Sequence, residues 1–353
     1  MSGLRFILFL LPLSLFAQGD PVVYSLYFTG NTGMDTMPAP AVQLLAFESF
    51  NDSLSTILML GNASGKDISK KTFQQRAAVI RPQLELFSAY QGEFFMLAGE
   101  AEWNGSSYLG GSMNLQCSEY VNEWLNKNSI IRNSGKQAYS TEKIPELIHL
   151  NKGVSLIIFD SQWWLQSGIV FGKRHLKKDW LNRLDSLCRI ATQNGDLLLM
   201  AAHHSLISNG KRIHNRQPLR FLFNFTPLKL ASLAGLTRWL NQDLNQPRYR
   251  SFRNRIQKVI EKYPGLIYLS SHEYNMQYMV SEHIHHVISG SGAGTRQIDR
   301  YKYPARFMDD QQTGFFRICL HQSGQVSLHA YSAKVRGEYW KSVMFTHPLK
   351  FKQ

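Results

Sequence analysis

The sequence predicts an α/β domain that turns α+β towards its C-terminal end. Three observations lead there. Short runs of apolar, β-branched and aromatic residues recur, each followed by a loop and then a helical pattern. Several of those runs are apolar without polar alternation, as strands covered on both faces are. Near the end, two further runs flank a tight turn and read as an antiparallel hairpin. Strands that alternate with helices and then close with antiparallel strands are the pattern of such a domain.

The strand candidates, in order, are residues 22–29, 56–60, 94–98, 154–160, 197–202, 266–270 and 285–289. Helical spacing appears between them. Residues 40–50 place Val42, Leu45 and Phe50 on one side, and residues 179–190 align Trp180, Leu184, Leu187 and Cys188. Residues 249–260 align Tyr249, Phe252, Ile256 and Val259 in the same way. Residues 315–320 and 325–330 flank His321-Gln322-Ser323-Gly324 and form the predicted hairpin. No composition shift marks a linker, so residues 20–353 read as one domain.

The first 19 residues carry a separate signal. Arg5 precedes an apolar run from Phe6 to Phe16, and Ala17-Gln18-Gly19 follows. A positive start, a short apolar stretch and small residues describe a cleavable signal peptide. The run is about half of the roughly 20 residues a membrane-spanning helix needs, and Pro12 interrupts it. The expectation is export to the periplasm or envelope of a bacterium, with no transmembrane segment in the mature chain.

The charge balance is basic, at 39 Lys+Arg against 25 Asp+Glu. For an exported chain this favours an envelope protein or an anionic envelope polymer as partner over nucleic acid. The candidate surfaces are residues 173–178, residues 248–253 and the basic stretch 334–353. Cys117, Cys188 and Cys319 are odd in number and far apart, which leaves at least one free thiol and no metal-binding cysteine pair.

Function in α/β domains collects in loops just past the C-terminal ends of strands. Five such loops stand out here: Gly30-Asn31-Thr32-Gly33, Gly61-Asn62-Ala63-Ser64-Gly65, Gly99-Glu100-Ala101-Glu102-Trp103, His203-His204-Ser205 and Ser271-His272-Glu273-Tyr274. Their order and spacing resemble the motif blocks of the calcineurin-like metallophosphoesterases, in particular a bacterial exported branch near the purple acid phosphatases. Those relatives read Gly-Asp-x-Gly, Gly-Asp-Asn, Gly-Asn-His-Asp-Trp, His-His-Pro and Gly-His-Glu-His. Asp160-Ser161-Gln162-Trp163-Trp164-Leu165, Asn241-Gln242-Asp243 and Ser289-Gly290-Ser291-Gly292-Ala293-Gly294 extend the likeness, which runs from about Tyr24 to about Ala330.

The resemblance implies a four-layer α/β/β/α sandwich. It also implies a two-metal phosphoesterase site, in which a bridging carboxylate holds two ions that activate water. Carried over position by position, that site is dismantled. Asn31 and Asn62 stand where carboxylates belong, Glu100 replaces an Asn ligand, and Ala101 replaces the His that assists the leaving group. Tyr274 replaces a second His, while His203 and His272 are retained. Two dications cannot be neutralised by this set, so no catalytic residue is assigned. The expectation is an inactive pseudophosphatase that acts by binding an envelope partner. The alternative is a metal-dependent phosphoesterase with an altered site holding at most one ion. No cofactor is expected on the first reading; on the second, Glu100, His203 and His272 hold one Zn, Mn or Fe ion.

Overall fold

A computed structural model describes residues 20–65, 72–106, 110–128, 145–151, 153–165, 173–210, 247–299, 303–336 and 338–349. The predicted signal peptide and Asn241-Gln242-Asp243 lie outside the described residues, as do the side chains of 173–175 and nearly all those of 334–353.

The strands form two mixed sheets. They are β1 (Val22–Thr29), β2 (Ser55–Met59), β3 (Glu93–Met96), β4 (Glu146–Asn151), β5 (Val154–Ile158), β6 (Leu197–Ala201) and β7 (Ile267–Ser270). Then follow β8 (Met276–Ser281), β9 (Ile284–Ser289), β10 (Ala305–Asp309), β11 (Gly314–His321), β12 (Val326–Arg336) and β13 (Glu338–Leu349). The first sheet runs β13-β12-β11-β1-β2-β3 and the second β10-β8-β9-β7-β6-β5-β4. In the first, β1, β2 and β3 are parallel, while β11 closes against β1 in antiparallel pairing. In the second, β5, β6, β7 and β9 are parallel.

The unalternated apolar runs are explained by the layering. Leu26 and Phe28 of β1, Leu58 of β2, Phe95 of β3, Leu156 and Ile158 of β5, and Leu199 and Ala201 of β6 all join one buried core between the sheets. The intervening residues, Tyr27, Ile57, Met59, Phe94, Met96, Ile157, Leu198 and Met200, join the core under the helices. Both faces of each central strand are therefore apolar. Each buried Leu or Phe contributes about 1.5–3 kcal/mol of transfer free energy to this stack.

Among the described residues, six helices cover the outer faces: α1 (Pro40–Ser49), α2 (Phe73–Glu85), α3 (Gly110–Lys127), α4 (Ser161–Leu165), α5 (Lys173–Gln193) and α6 (Pro247–Ile260). Helix α1 begins with Pro at its first position, where a missing N–H costs nothing. Helix α2 starts in a capping box: Thr72 accepts from the Gln75 backbone while the Gln75 side chain accepts from the Thr72 N–H. On α5, Trp180, Leu184, Leu187 and Cys188 are buried, and on α6, Tyr249, Phe252, Ile256 and Val259 are. The result is the α/β/β/α sandwich.

Two readings need correction. Phe50 caps the C-terminal end of α1 and is 54% exposed, because Ser49, four residues after Leu45, takes the inward position instead. Residues 276–281, absent from the strand candidates, form strand β8, which returns antiparallel to β9. The three cysteines are buried and unbonded, and burial pushes the Cys117 and Cys188 thiols up to about 12. No described helix is long and apolar enough to cross a membrane.

Candidate functional site

All five loops meet at one end of the sandwich because they follow parallel strands of the two sheets. Backbone hydrogen bonds knit them together. Asn31 N–H donates to Gly61 O (2.9 Å), Gly33 N–H to Asn62 O (3.0 Å) and Gly30 N–H to Ser289 O (2.8 Å). On the second sheet, the N–H groups of Ser271 and His272 both donate to His203 O, at 3.0 and 2.9 Å. Gly61 makes this approach possible. It sits at φ +92°, and a Cβ there would lie 2.7 Å from Gly99 N and 2.9 Å from His203 Nδ1.

Asn31 and Asn62 both adopt left-handed backbone angles, φ 55° and 59°, which Asn tolerates better than most residues. Both are buried, and their amides form a chain. Ala101 N–H donates to Asn62 Oδ1 (2.8 Å), which fixes Asn62 Nδ2 as the donor towards Asn31 Oδ1 (2.8 Å). Asn31 Nδ2 then faces three backbone carbonyls: Ser271 O at 2.5 Å, Gly290 O at 3.0 Å and Glu273 O at 3.5 Å. Every orientation in the chain follows from the Ala101 N–H and those carbonyls.

Glu102, which sequence reasoning quoted without assigning a role, anchors the same loops. Its Oε2 accepts from Asn62 N–H (2.9 Å) and Gly99 N–H (2.8 Å), and its Oε1 from Ser64 N–H (2.9 Å). Arg76, buried on α2, donates to Ala101 O (2.5 Å) and Asn104 Oδ1 (3.0 Å) and holds the third loop from outside. The only sequence signal for Glu102 was an acidic residue in a short turn among glycines.

Across the cleft, three buried imidazoles gather. His203 Nδ1 lies 2.7 Å from Leu60 O, so that nitrogen carries the proton and Nε2 turns its lone pair inward. Ser271 Oγ donates to the same carbonyl at 2.6 Å and sits 3.1 Å from His203 Nδ1. His272 Nδ1 lies 3.4 Å from His203 Nε2 and 4.0 Å from Glu100 Oε2. His204 joins them, with Nδ1 2.8 Å from Ser161 Oγ and its ring 4.7 Å from that of His272. One ligand atom from each of His203, His204 and His272 lies within 4.8 Å of the others. His204, quoted in the fourth loop, was given no metal-binding role in the sequence analysis. The chain bends here, just past the end of β6, and brings both rings to one side.

The remaining candidate, Tyr274, is buried beneath the Arg296 guanidinium, 4.5 Å from its ring centroid. Asp160 lies below the double tryptophan. It accepts from Trp103 Nε1 (2.7 Å) and from the Gln162 and Trp163 N–H groups (2.9 and 3.1 Å). Burial pushes its carboxyl up to about 7 against the pull of those donors. Trp163 and Trp164 are buried as packing residues.

The donor chemistry separates two metal positions. Around Asn31 and Asn62 the groups are neutral, and amide hydrogens already face the oxygens that a cation would otherwise bring together. That half does not fit a dication. The histidine half, with three imidazoles and Glu100 close by, fits one.

No family model and no curated protein matches the sequence. Among solved structures, the chain is similar to a dimetal phosphatase from Danio rerio (TM-score 0.54, 8% identity), covering 94% of this chain and 100% of that one. It is also similar to GAP50, described as the anchor in the inner membrane complex of Plasmodium (TM-score 0.53, 17% identity), covering 94% of this chain and 90% of that one. The two mixed sheets, the helices that cover them and these likenesses together establish the fold of the calcineurin-like metallophosphoesterases.

Proposed function

We propose that this protein is an exported pseudophosphatase: it keeps the metallophosphoesterase fold, has lost two-metal hydrolysis, and acts by binding an envelope partner. The observation that carries the reading is the amide chain from Ala101 through Asn62 and Asn31 to the carbonyls of Ser271 and Gly290. With Asp at both positions, carboxylate oxygens would confront one another and those carbonyls, and only cations could reconcile them. With Asn, the hydrogens come from the protein itself, and no charge remains to hold a bridging ion. Losing one electrostatic stabiliser of a transition state costs about 10²–10³ in rate. Here the bridging charge and the leaving-group donor are both replaced.

Binding through a basic surface has structural support on the helix layer. Arg248, Arg250, Arg255 and Lys258 are exposed along α6, while its apolar face is buried. Lys178, Arg183 and Arg189 are exposed on the neighbouring α5. A protein of the same fold, GAP50, is described as an anchor, which is compatible with a scaffold role. Assay of the full chain with an aryl phosphate and added Mn²⁺ or Zn²⁺ tests the loss of catalysis. No turnover above buffer is expected, and turnover that vanishes in His203→Ala would overturn the reading. Charge reversal at Arg248, Arg250 and Arg255 is expected to abolish capture from envelope extracts, and unchanged capture would count against this surface.

The histidine cluster favours a second reading, a phosphoesterase with one ion at an altered site. Metal-dependent turnover in the same assay would select it.

A further inference from the structure

We infer that His203, His204 and His272 form a mononuclear transition-metal site of their own, suited to Zn²⁺, with His204 as its third ligand and Glu100 as the balancing charge. The inference rests on the reading that this chain holds at most one ion, and it changes which residues hold it. Glu100, His203 and His272 are the set expected from the loops; the geometry puts His204 ahead of Glu100.

Distances carry the argument. In a tetrahedral zinc site with Zn–N bonds of 2.0–2.1 Å, two ligand nitrogens stand about 3.3–3.4 Å apart. His203 Nε2 and His272 Nδ1 are 3.4 Å apart, so one edge of that tetrahedron already exists. A ligand nitrogen of the third imidazole lies within 4.8 Å of both, which brings the three donors around one point. Glu100 Oε2, by contrast, is 4.0 Å from His272 Nδ1, near enough to offset charge.

The surroundings are those that orient metal-binding imidazoles. A ligating His usually gives its other N–H to a carbonyl, hydroxyl or carboxylate, which fixes the tautomer. His203 does this with Leu60 O at 2.7 Å. His204 Nδ1 engages Ser161 Oγ at 2.8 Å, so Nε2 is the nitrogen it would present to an ion. Ser161 is itself held by the His204 backbone N–H, at 3.2 Å. Tyr249 closes the far side: its ring centroid lies 5.4 Å from that of His204 and its hydroxyl donates to Ser205 O at 2.7 Å. All three His are buried, which shields an ion from competing water. Three neutral imidazoles with one carboxylate suit a borderline ion such as Zn²⁺ or Co²⁺ better than Mg²⁺ or Ca²⁺.

The test is metal titration of the full chain, stripped with chelator and checked for folding by circular dichroism. Zinc is titrated in competition with a chromophoric chelator, and Co²⁺ serves as a spectroscopic stand-in. One equivalent of Zn²⁺ per chain is expected, with visible Co²⁺ bands of four-coordinate intensity. His204→Ala should weaken zinc binding about 100-fold or more and shift those bands, since one of three imidazoles is lost. Glu100→Gln should weaken it less and leave a nitrogen-rich spectrum. His204→Gln serves as a second variant if His204→Ala is unfolded. Undiminished stoichiometric binding in either His204 variant would overturn the inference, as would failure of the folded wild-type chain to bind zinc. Failure to bind would leave the pseudophosphatase reading standing, whereas aryl phosphate turnover by the zinc-loaded chain would overturn that reading and leave the site.

Discussion

A single atom type decides much at the residue scale. Asn31 and Asn62 differ from aspartates by one NH₂ each, yet that group turns an arrangement of oxygens into a hydrogen-bonded chain. Asn31→Asp should therefore destabilise the metal-free protein by about 2–4 kcal/mol at neutral pH, because a buried carboxylate would face two backbone carbonyls. The loss should shrink at pH 5, where the acid can donate one hydrogen bond. Urea unfolding at the two pH values measures the difference, and an equally stable variant at pH 7.5 would refute the argument. Glu102→Gln changes the same loops from the other side. Its new NH₂ would meet the N–H groups of Gly99 and Asn62 or that of Ser64, at a cost of about 2–3 kcal/mol by the same measurement. Both asparagines could be picked from the sequence as loop residues of interest. What they do there could not, since the carbonyls that Asn31 meets lie 240 and 259 residues away in the chain.

Among the elements, the short helix α4 shows how one residue couples a loop to a layer. Asp160 caps it by accepting from the Gln162 and Trp163 N–H groups, and it ties in Trp103 from the third loop. Its carboxyl is raised from 3.8 to about 7, chiefly by burial. Between those values the folded state keeps a proton that the unfolded chain releases. This contribution to stability is therefore present below about pH 4 and is lost as pH rises to about 7, with a slope of at most about 1.4 kcal/mol per pH unit. Denaturant unfolding from pH 4 to 8 should show wild-type and Asp160→Asn slopes that differ by this amount, since every other titrating group is common to both. Identical slopes would remove Asp160 from the account. The central strands were legible to within a residue or two, because runs such as 154–158 and 197–201 are apolar on both faces. Helices α2 and α3 were not, because their exposed faces are polar and Pro82 interrupts the pattern of α2. Residues 334–353, named only as a candidate basic surface, include strand β13, which pairs along β12 from Glu338 to Leu349.

For the whole molecule, acid sensitivity should be set by one buried and one half-buried histidine outside the site. Burial lowers His286 from 6.5 to about 3, with His285 adding to the effect, and lowers His329 to about 4. Both favour the neutral form in the folded state, so their contribution is lost as pH falls below about 6.5, opposite in sign to Asp160. His286 Nδ1 has no hydrogen-bond partner among the described residues, and its ring packs against Tyr268. His286→Phe should thus gain about 1 kcal/mol at pH 7 and unfold at lower pH than the wild type. A thermal melt series between pH 4 and 7 checks it, and a variant that is less stable throughout would show that the imidazole is needed there.

The sequence by itself determined the central strands, helices α1, α5 and α6, and the five loops at the ends of parallel strands, with Asn at positions 31 and 62. Those features are local: periodicity, apolar runs and residue identity need no partner to be read. The tertiary structure decided what the loops became together. It set Asn31 beneath carbonyls from the opposite sheet, put Glu102 under three backbone N–H groups, and turned His204 inward beside His203 to meet His272. The physical reason is that each of these contacts joins segments far apart in the chain. Their geometry is fixed by how two twisted sheets pack, which no local pattern encodes.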